Sequence, residues 1–208
     1  YAYWELIVVD DGSNDNNVDI VSAYAENDRR IQLLENETNI GPAASRNNAI
    51  RQAEGSYIAF LDADDTWHPE KLNIQIGFME NNQVALSYTS YQRITESNHP
   101  AKLCVAKKEV NYAGALWKNP IGCLTAVYSV AILGKQYMPD IRRGHDYALW
   151  LQILKSTDKA YGINDCLADY YVGRETVSSM KVSTSRYIWR MYRDVEQLPL
   201  WRSTMYFL

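Results

Sequence analysis

The first 82 residues alternate between two hydrophobic periods, and that alternation restricts the fold more than any other feature of the chain. ELIVVD (5–10), IQLLE (31–35) and SYIAFLD (56–62) are apolar runs of strand length, rich in branched and aromatic side chains. The segments that follow them space their apolar residues three or four apart: Val18, Val21 and Ala25 in 16–27, a helix-like stretch 43–55, and Leu72, Ile76 and Met79 after His68-Pro69-Glu70. Continuous or alternating runs mark strands, and a period near 3.6 marks amphipathic helices. Strand, helix, strand, helix, strand, helix predicts an α/β fold with a mostly parallel sheet flanked by helices. ELIVVD, apolar almost throughout, is expected to be covered on both faces.

Local punctuation agrees with this reading. Ser13 or Asp15 can cap the first helix, Pro42 suits the first turn of the second, and Gly55 supplies its stop. The second half is less regular. VALSYTSYQRI (84–94) is expected as a strand, SNHP (97–100) as a turn, and 101–120 as an irregular segment. CLTAVYS then reads as a strand leading into a short helix, VAILG. RRGHDYALWLQILKST is a strong helix with Tyr147, Trp150, Leu151 and Leu154 on one face and Asp146 in its first turn. CLADYYV is strand-like. The tail, SRYIWRMYRDVEQLPLWRSTMYFL, is aromatic and basic, and fits either a helix lying on a membrane surface or a helix packed over the sheet.

Bulk properties exclude some classes. With 208 residues and 47% hydrophobic composition, one domain with a sizeable core is the default. A net charge of -4 and a pI near 5.4 argue against nucleic acid, which needs clustered Lys and Arg to neutralise phosphates, but leave small phosphorylated ligands open. Three cysteines, Cys104, Cys123 and Cys166, have no metal-type spacing and fit small buried thiols kept reduced. No apolar run approaches the ~18 residues of a membrane span, and no secretory leader is evident, which points to a cytoplasmic protein. The chain starts at Tyr1, almost inside its first strand, so an upstream segment is expected to be missing.

Carboxylates crowd at two strand ends: Asp10-Asp11, and Asp62, Asp64 and Asp65 in YIAFLDADDTW. In open α/β sheets ligands bind beyond the carboxyl ends of the strands, so both clusters are expected at one crevice. Like charges held this close repel, and a bound cation relieves the cost. A D-x-D spacing suits a hard divalent ion, with one carboxylate binding directly, the other through water or ribose hydroxyls, and diphosphate oxygens completing an octahedron. Mg or Mn is favoured over Zn because no His and Cys set accompanies the acids. A helix cap with a solvated turn is the alternative, and spacing alone leaves both open.

WELIVVDDGSNDN, NIGPAASRNNAIRQAEGSYIAFLDADDTWHPEKL and GHDYALWLQIL, in that order over residues 3 to about 155, resemble the family 2 glycosyltransferases. These are inverting, nucleotide-sugar-dependent enzymes of the GT-A fold. ADYYVGRETVSSM is similar to the "YYR…SxS" ending of bacterial polysaccharide-building members. The resemblance implies a GT-A domain over 1–175 with an acceptor-side second half, and a helical tail over 176–208. It implies a UDP-sugar donor and a saccharide or lipid-linked acceptor, with the protein on the inner face of the plasma membrane if the tail lies on lipid. Asp11 matches the acid that hydrogen-bonds the uracil ring, and its neighbour Asp10 reads as a turn-former. Arg46 matches an arginine beside the nucleotide, suited to phosphate or to orienting the acids; a surface salt bridge is its plainer role. Asp64 matches the metal-touching member of D-x-D, Asp62 its partner near the ribose, and Asp65 is the weakest of the three. Asp146 matches the catalytic base that deprotonates the acceptor hydroxyl, against a plainer role in favouring its helix dipole.

The chain departs from the family in two places. His145 stands where most relatives have Glu, and is either a tolerated neighbour or a group that alters acceptor contacts or the base's pKa. The family's first strand and helix are absent, which implies a weakened nucleotide site and an exposed strand edge. Three other functions compete with this one. IAFLDADDT also fits a haloacid-dehalogenase-type phosphatase, with Asp62 as nucleophile and Asp64 as acid and base, although that motif's usual Lys and second acidic pair are not found in order. A non-catalytic nucleotide-sugar-binding module and a nucleotidyltransferase are the remaining two.

Overall fold

The computed structural model describes residues 1–95, 97, 99–141, 143–172 and 181–207. It opens with strand β1 (Leu6–Asp10), helix α1 (Asn17–Asn27) and β2 (Ile31–Glu35), a βαβ unit whose parallel ladder runs from Leu6 opposite Ile31 to Asp10 opposite Glu35. Next come α2 (Pro42–Gln52), β3 (Tyr57–Ala59), β4 (Thr66–Trp67), α3 (Lys71–Asn82) and β5 (Leu86–Ile94). The second half adds β6 (Pro100–Cys104), β7 (Glu109–Val110), α4 (Tyr112–Trp117), a 3-10 turn (Cys123–Thr125), β8 (Val127–Ser129), α5 (Val130–Leu133), α6 (His145–Ser156) and β9 (Ala160–Tyr171). The tail forms α7 (Lys181–Arg190), a π-helical turn (Met191–Val195) and α8 (Leu200–Phe207).

The fold is mixed α/β, with helices flanking a central sheet. That sheet runs β3-β8-β5-β9-β4, with β6 beside β5 and β7 beside β9. The two longest ladders, β1–β2 and β5–β9, are parallel. The shorter ladders of β8, β4, β6 and β7 are antiparallel; of these, only β5–β6 joins neighbouring strands without an intervening helix.

Helix α6 is the centre of the core. Tyr147 to Leu151, Ile153 and Leu154 are all buried, so the helix is enclosed nearly all round rather than amphipathic. Phe60, Leu86, Tyr88, Leu116 and Tyr128 surround it, and Met191, Tyr192 and Leu198 of the tail join the same cluster. Each such side chain contributes about 1.5–3 kcal/mol of transfer free energy. The helix that carries Asp146 is therefore anchored from several directions.

Several local expectations are corrected. β1 is less covered than expected: none of its residues is fully buried and Leu6 is exposed. α2 stops at Gln52 rather than Gly55, since the N–H groups of Glu54 and Gly55 donate to Glu5 Oε1, each at 2.7 Å, instead of continuing the helix. β3 ends at Ala59 because its partner β8 offers only three residues. Residues 101–120 are more ordered than expected, since Tyr91 to Ile94 of β5 recruit β6, and β9 recruits β7. GRETVSSM (173–180), the end of the ADYYVGRETVSSM motif, and part of the turn expected at 97–100 lie outside the described residues. No helix among the described residues is long and apolar enough to cross a membrane.

Candidate active site

Beyond β3 the chain buries Phe60 and then turns outward, with Asp65 N–H donating to the Asp62 carbonyl at 3.0 Å. The three carboxylates of this turn have different surroundings. Asp65 is buried, its Oδ1 accepts the Tyr171 N–H at 3.1 Å at the end of β9, and burial pushes its pKa up to about 7. It buckles the turn to the sheet. Asp62 is half-buried and Asp64 is exposed, so these two form the outward edge of the cluster.

Arg46 projects from α2 towards that edge. One guanidinium nitrogen donates to Asp62 Oδ1, and the other to Nε2 of His145 at 2.6 Å. The Arg46 side chain is 22% exposed and that of Asp62 38%, so the ion pair is partly open to water while the contact with the buried His145 is shielded. Asp146 follows His145 directly, and its charge and that of Asp62 act on both Arg46 and Cys123. Arg46, Asp62, His145, Asp146 and Cys123 thus converge, although they lie far apart along the chain. Burial pushes the Cys123 thiol well up, keeping it protonated. His145 is buried, and burial followed by the Arg46 charge pulls its pKa below the ordinary value, so the ring is neutral at pH 7.

The start of α6 is held by an unusual contact. Gly144 has φ +66°, and a Cβ placed there would lie 2.0 Å from the Tyr187 hydroxyl of α7. Only glycine permits both the left-handed backbone and the approach of that ring. Tyr187 therefore covers the helix end next to Asp146, and burial, then Asp146, raises its pKa.

Asp11 organises the other acidic cluster. It accepts the N–H groups of Ile40 and Gly41, each at 2.8 Å, and the Asn36 amide at 3.0 Å. Burial alone would raise its pKa, but these hydrogen bonds hold it low. A carboxylate offers about four acceptor positions, so this one is largely committed to shaping the loop into α2. Asp10 accepts from the Gly12 and Ser13 N–H groups, both at 3.1 Å, and closes the turn after β1. The two clusters are linked: Asn36 also donates to Ser45 at 2.9 Å, next to Arg46, and accepts from Asn48 at 2.8 Å. Asn47 grips the backbone of Met138 in both directions at 2.8 Å, fixing α2 against the segment leading to α6.

Sequence reasoning missed Asn36, Tyr187 and the role of His145. Asn36 stood in a polar loop where nothing marks one amide as a hub. His145 had a signal, since it departs from the family's usual residue beside Asp146. Among the described residues, no group of three or more His, Cys, Asp or Glu is placed to enclose a metal. The exposed Asp64 with Asp62 beside it does fit a hard cation that takes its remaining ligands from a bound molecule and water. Lys71, the first lysine after this motif, is fully buried against Gln75, the Thr125 carbonyl and the Trp67 ring.

Comparison with known proteins agrees with this geometry. Residues 1–127 match the family model "Glycosyl transferase family 2". The chain is 38% identical over its whole length to 83% of a putative teichuronic acid biosynthesis glycosyltransferase, TuaG, of Bacillus subtilis. It is 36% identical, over 97% of itself and 79% of the relative, to the UDP-Glc:alpha-D-GlcNAc-diphosphoundecaprenol beta-1,3-glucosyltransferase WfgD of Escherichia coli. Its fold matches S. aureus TarS 1-349 in complex with UDP-GlcNAc at a TM-score of 0.71 and 21% identity, covering 98% of this chain and 61% of that one. It also matches the mannosyltransferase PcManGT from Pyrobaculum calidifontis in complex with GDP-Man and Mn2+ at 0.68 and 18% identity, covering 94% and 55%. With carboxylates, arginine and the start of α6 meeting beyond β3, and the family match spanning more than half its length, the chain belongs to glycosyl transferase family 2 and is a glycosyltransferase of the GT-A fold.

Proposed function

We propose that this glycosyltransferase moves a sugar from a UDP-sugar, with inversion, to a hydroxyl of a saccharide or lipid-linked acceptor in surface polysaccharide synthesis. The observation that carries the reading is the reach of Arg46, which touches the D-x-D turn through Asp62 and the first residue of α6 through His145. That bridge brings the donor-side acids and the candidate base to one place. The relatives support the substrates: WfgD is named for UDP-Glc and a diphosphoundecaprenol-linked acceptor, and the fold neighbours were solved with UDP-GlcNAc and with GDP-Man and Mn2+.

Asp64 and Asp62 are the residues that would hold Mg or Mn. A divalent ion bound there would offset charge on the departing diphosphate. Asp11 and Arg46 serve the nucleotide side, Asp11 by shaping the loop after β2 and accepting from the base, Arg46 by presenting positive charge to the phosphates. Asp146 takes the proton of the acceptor hydroxyl as that oxygen bonds to the anomeric carbon. The bond from that carbon to the diphosphate oxygen breaks on the opposite face, and its electron pair leaves with UDP. One displacement inverts the centre. The tail's exposed Leu200, Trp201 and Phe207, with Arg202 beside Trp201, support a peripheral seat on the cytoplasmic face of the membrane, where a lipid-linked acceptor would sit.

The test is release of UDP from UDP-sugars in the presence of acceptor and Mn, followed in parallel with nucleotide binding. Asp146→Asn is expected to bind UDP as the parent does and to lose transfer by roughly 10²–10⁴-fold. Release of free phosphate instead of UDP would favour the phosphatase chemistry. Binding without any turnover, by wild type and variant alike, would leave a non-catalytic module.

A further inference from the structure

Arginine carries only donors, so at the 2.6 Å contact between Arg46 and His145 Nε2 the imidazole must supply a lone pair. The ring therefore carries its proton on Nδ1, and Nε2 serves as a neutral acceptor. This contact lies in a buried setting, His145 being 9% exposed, and the same guanidinium holds Asp62. A planar guanidinium gripped at two of its nitrogens, by groups from two different elements, has little rotational freedom left. His145 also immediately precedes Asp146 and follows the left-handed Gly144, so its ring direction is set by the rigid start of α6.

We propose that His145 is a positioning residue for the donor: its neutral Nε2 holds Arg46 in the orientation that sets Asp62 and faces the nucleotide diphosphate. The role rests on the function proposed above and deepens it. It assigns His145 to the donor side, through Arg46, rather than to acceptor contacts or to the basicity of Asp146. The Glu that most relatives carry here could also accept from Arg46, but would add a second negative charge beside Asp62, which already pairs with this guanidinium. The imidazole accepts without adding charge. The role needs an acceptor at that reach, not a histidine as such.

The experiment compares the full chain with His145→Gln, which keeps a neutral acceptor, and His145→Leu, which keeps bulk and removes it. UDP affinity in the presence of Mn, and KM for the UDP-sugar against kcat, are measured for each, with circular dichroism and thermal melting as the folding control. His145→Leu is expected to weaken UDP binding and raise donor KM about tenfold or more, the loss of one hydrogen bond to a charged group, with a smaller change in kcat. His145→Gln is expected to restore both to within about threefold of the parent. A folded His145→Leu with unchanged donor affinity, or a folded His145→Gln as weak as His145→Leu, would overturn the role. Failure of the wild type itself to bind UDP with Mn would instead overturn the proposed function and this role with it, an outcome told apart by the parent protein alone.

Discussion

Trp150 lies four residues after Asp146 on α6, is completely buried, and meets Phe60 edge-on with ring centroids 5.9 Å apart. Its Nε1–H is buried with no hydrogen-bond partner among the described residues. The indole thus contributes packing and at the same time incurs an unsatisfied donor, and two substitutions separate these effects. Trp150→Phe removes roughly 40 Å³ of side chain, which at about 24 cal/mol per Å³ costs about 1 kcal/mol. It keeps an aromatic contact with Phe60 and removes a donor whose burial costs about 1–3 kcal/mol. The two terms offset, so Trp150→Phe is expected within about 1 kcal/mol of wild type, whereas Trp150→Ala, which removes the ring entirely, is expected to cost about 3–5 kcal/mol. Urea unfolding reads both as shifts in midpoint at constant slope. Transfer by Trp150→Phe should stay near the parent rate, because the backbone that aims Asp146 is held by Tyr147, Leu149 and Leu151 as well. A Trp150→Phe loss close to that of Trp150→Ala would refute the reasoning, since it would mean that the N–H is satisfied and stabilising.

Two further outcomes follow from buried groups. Burial holds Lys71 at a pKa of about 7, against about 10.4 unfolded; between those values the unfolded chain carries a proton that the folded chain has released, so this residue's contribution to stability rises with pH. The stability difference between wild type and Lys71→Met, from urea curves at pH 7.5 and 8.5, should move in favour of wild type by about 1 kcal/mol, and parallel behaviour would contradict the assignment. Gly144→Ala should destabilise by at least the ~1–2 kcal/mol of a left-handed residue, with further cost from displacing Tyr187. In a double-mutant cycle that further cost should vanish in a Tyr187→Ala background, and equal losses in both backgrounds would show that the ring is not the obstacle.

The fold was legible where hydrophobic period and turn chemistry coincided. IQLLE is β2 from end to end, and the α2 start at Pro42 and the α6 helix lie where Pro, Asp146 and the apolar spacing put them. What failed depended on partners far along the chain. ELIVVD reads as a strand covered on both faces, but none of the residues of β1 is fully buried, although β2, α1 and α2 all lie against it. Gly55 reads as a helix stop, yet α2 ends earlier because Glu5, about fifty positions away, captures the backbone there. The buried face of α3 includes Lys71 and Gln75 because Ser87 and the Thr125 carbonyl satisfy them, and no period reveals that. At the site, acids at strand ends pointed to Asp11, Asp62 and Asp64, whereas Arg46 and Asp146, on helices, were singled out only by the resemblance to the family. The division of labour among them came from geometry: Asp65 buried as a buckle, Asp11 spent on a loop, and His145 turned towards Arg46.

A divalent cation held by Asp64 and Asp62, gripping a sugar donor's diphosphate, would make UDP binding depend on Mn, and calorimetric titration of UDP with and without the metal measures that dependence. Wild type should bind UDP markedly tighter when Mn is present, and Asp64→Ala, equally well folded, should lose that enhancement. Identical UDP isotherms with and without the metal, or an Asp64→Ala variant that keeps the full enhancement, would contradict it.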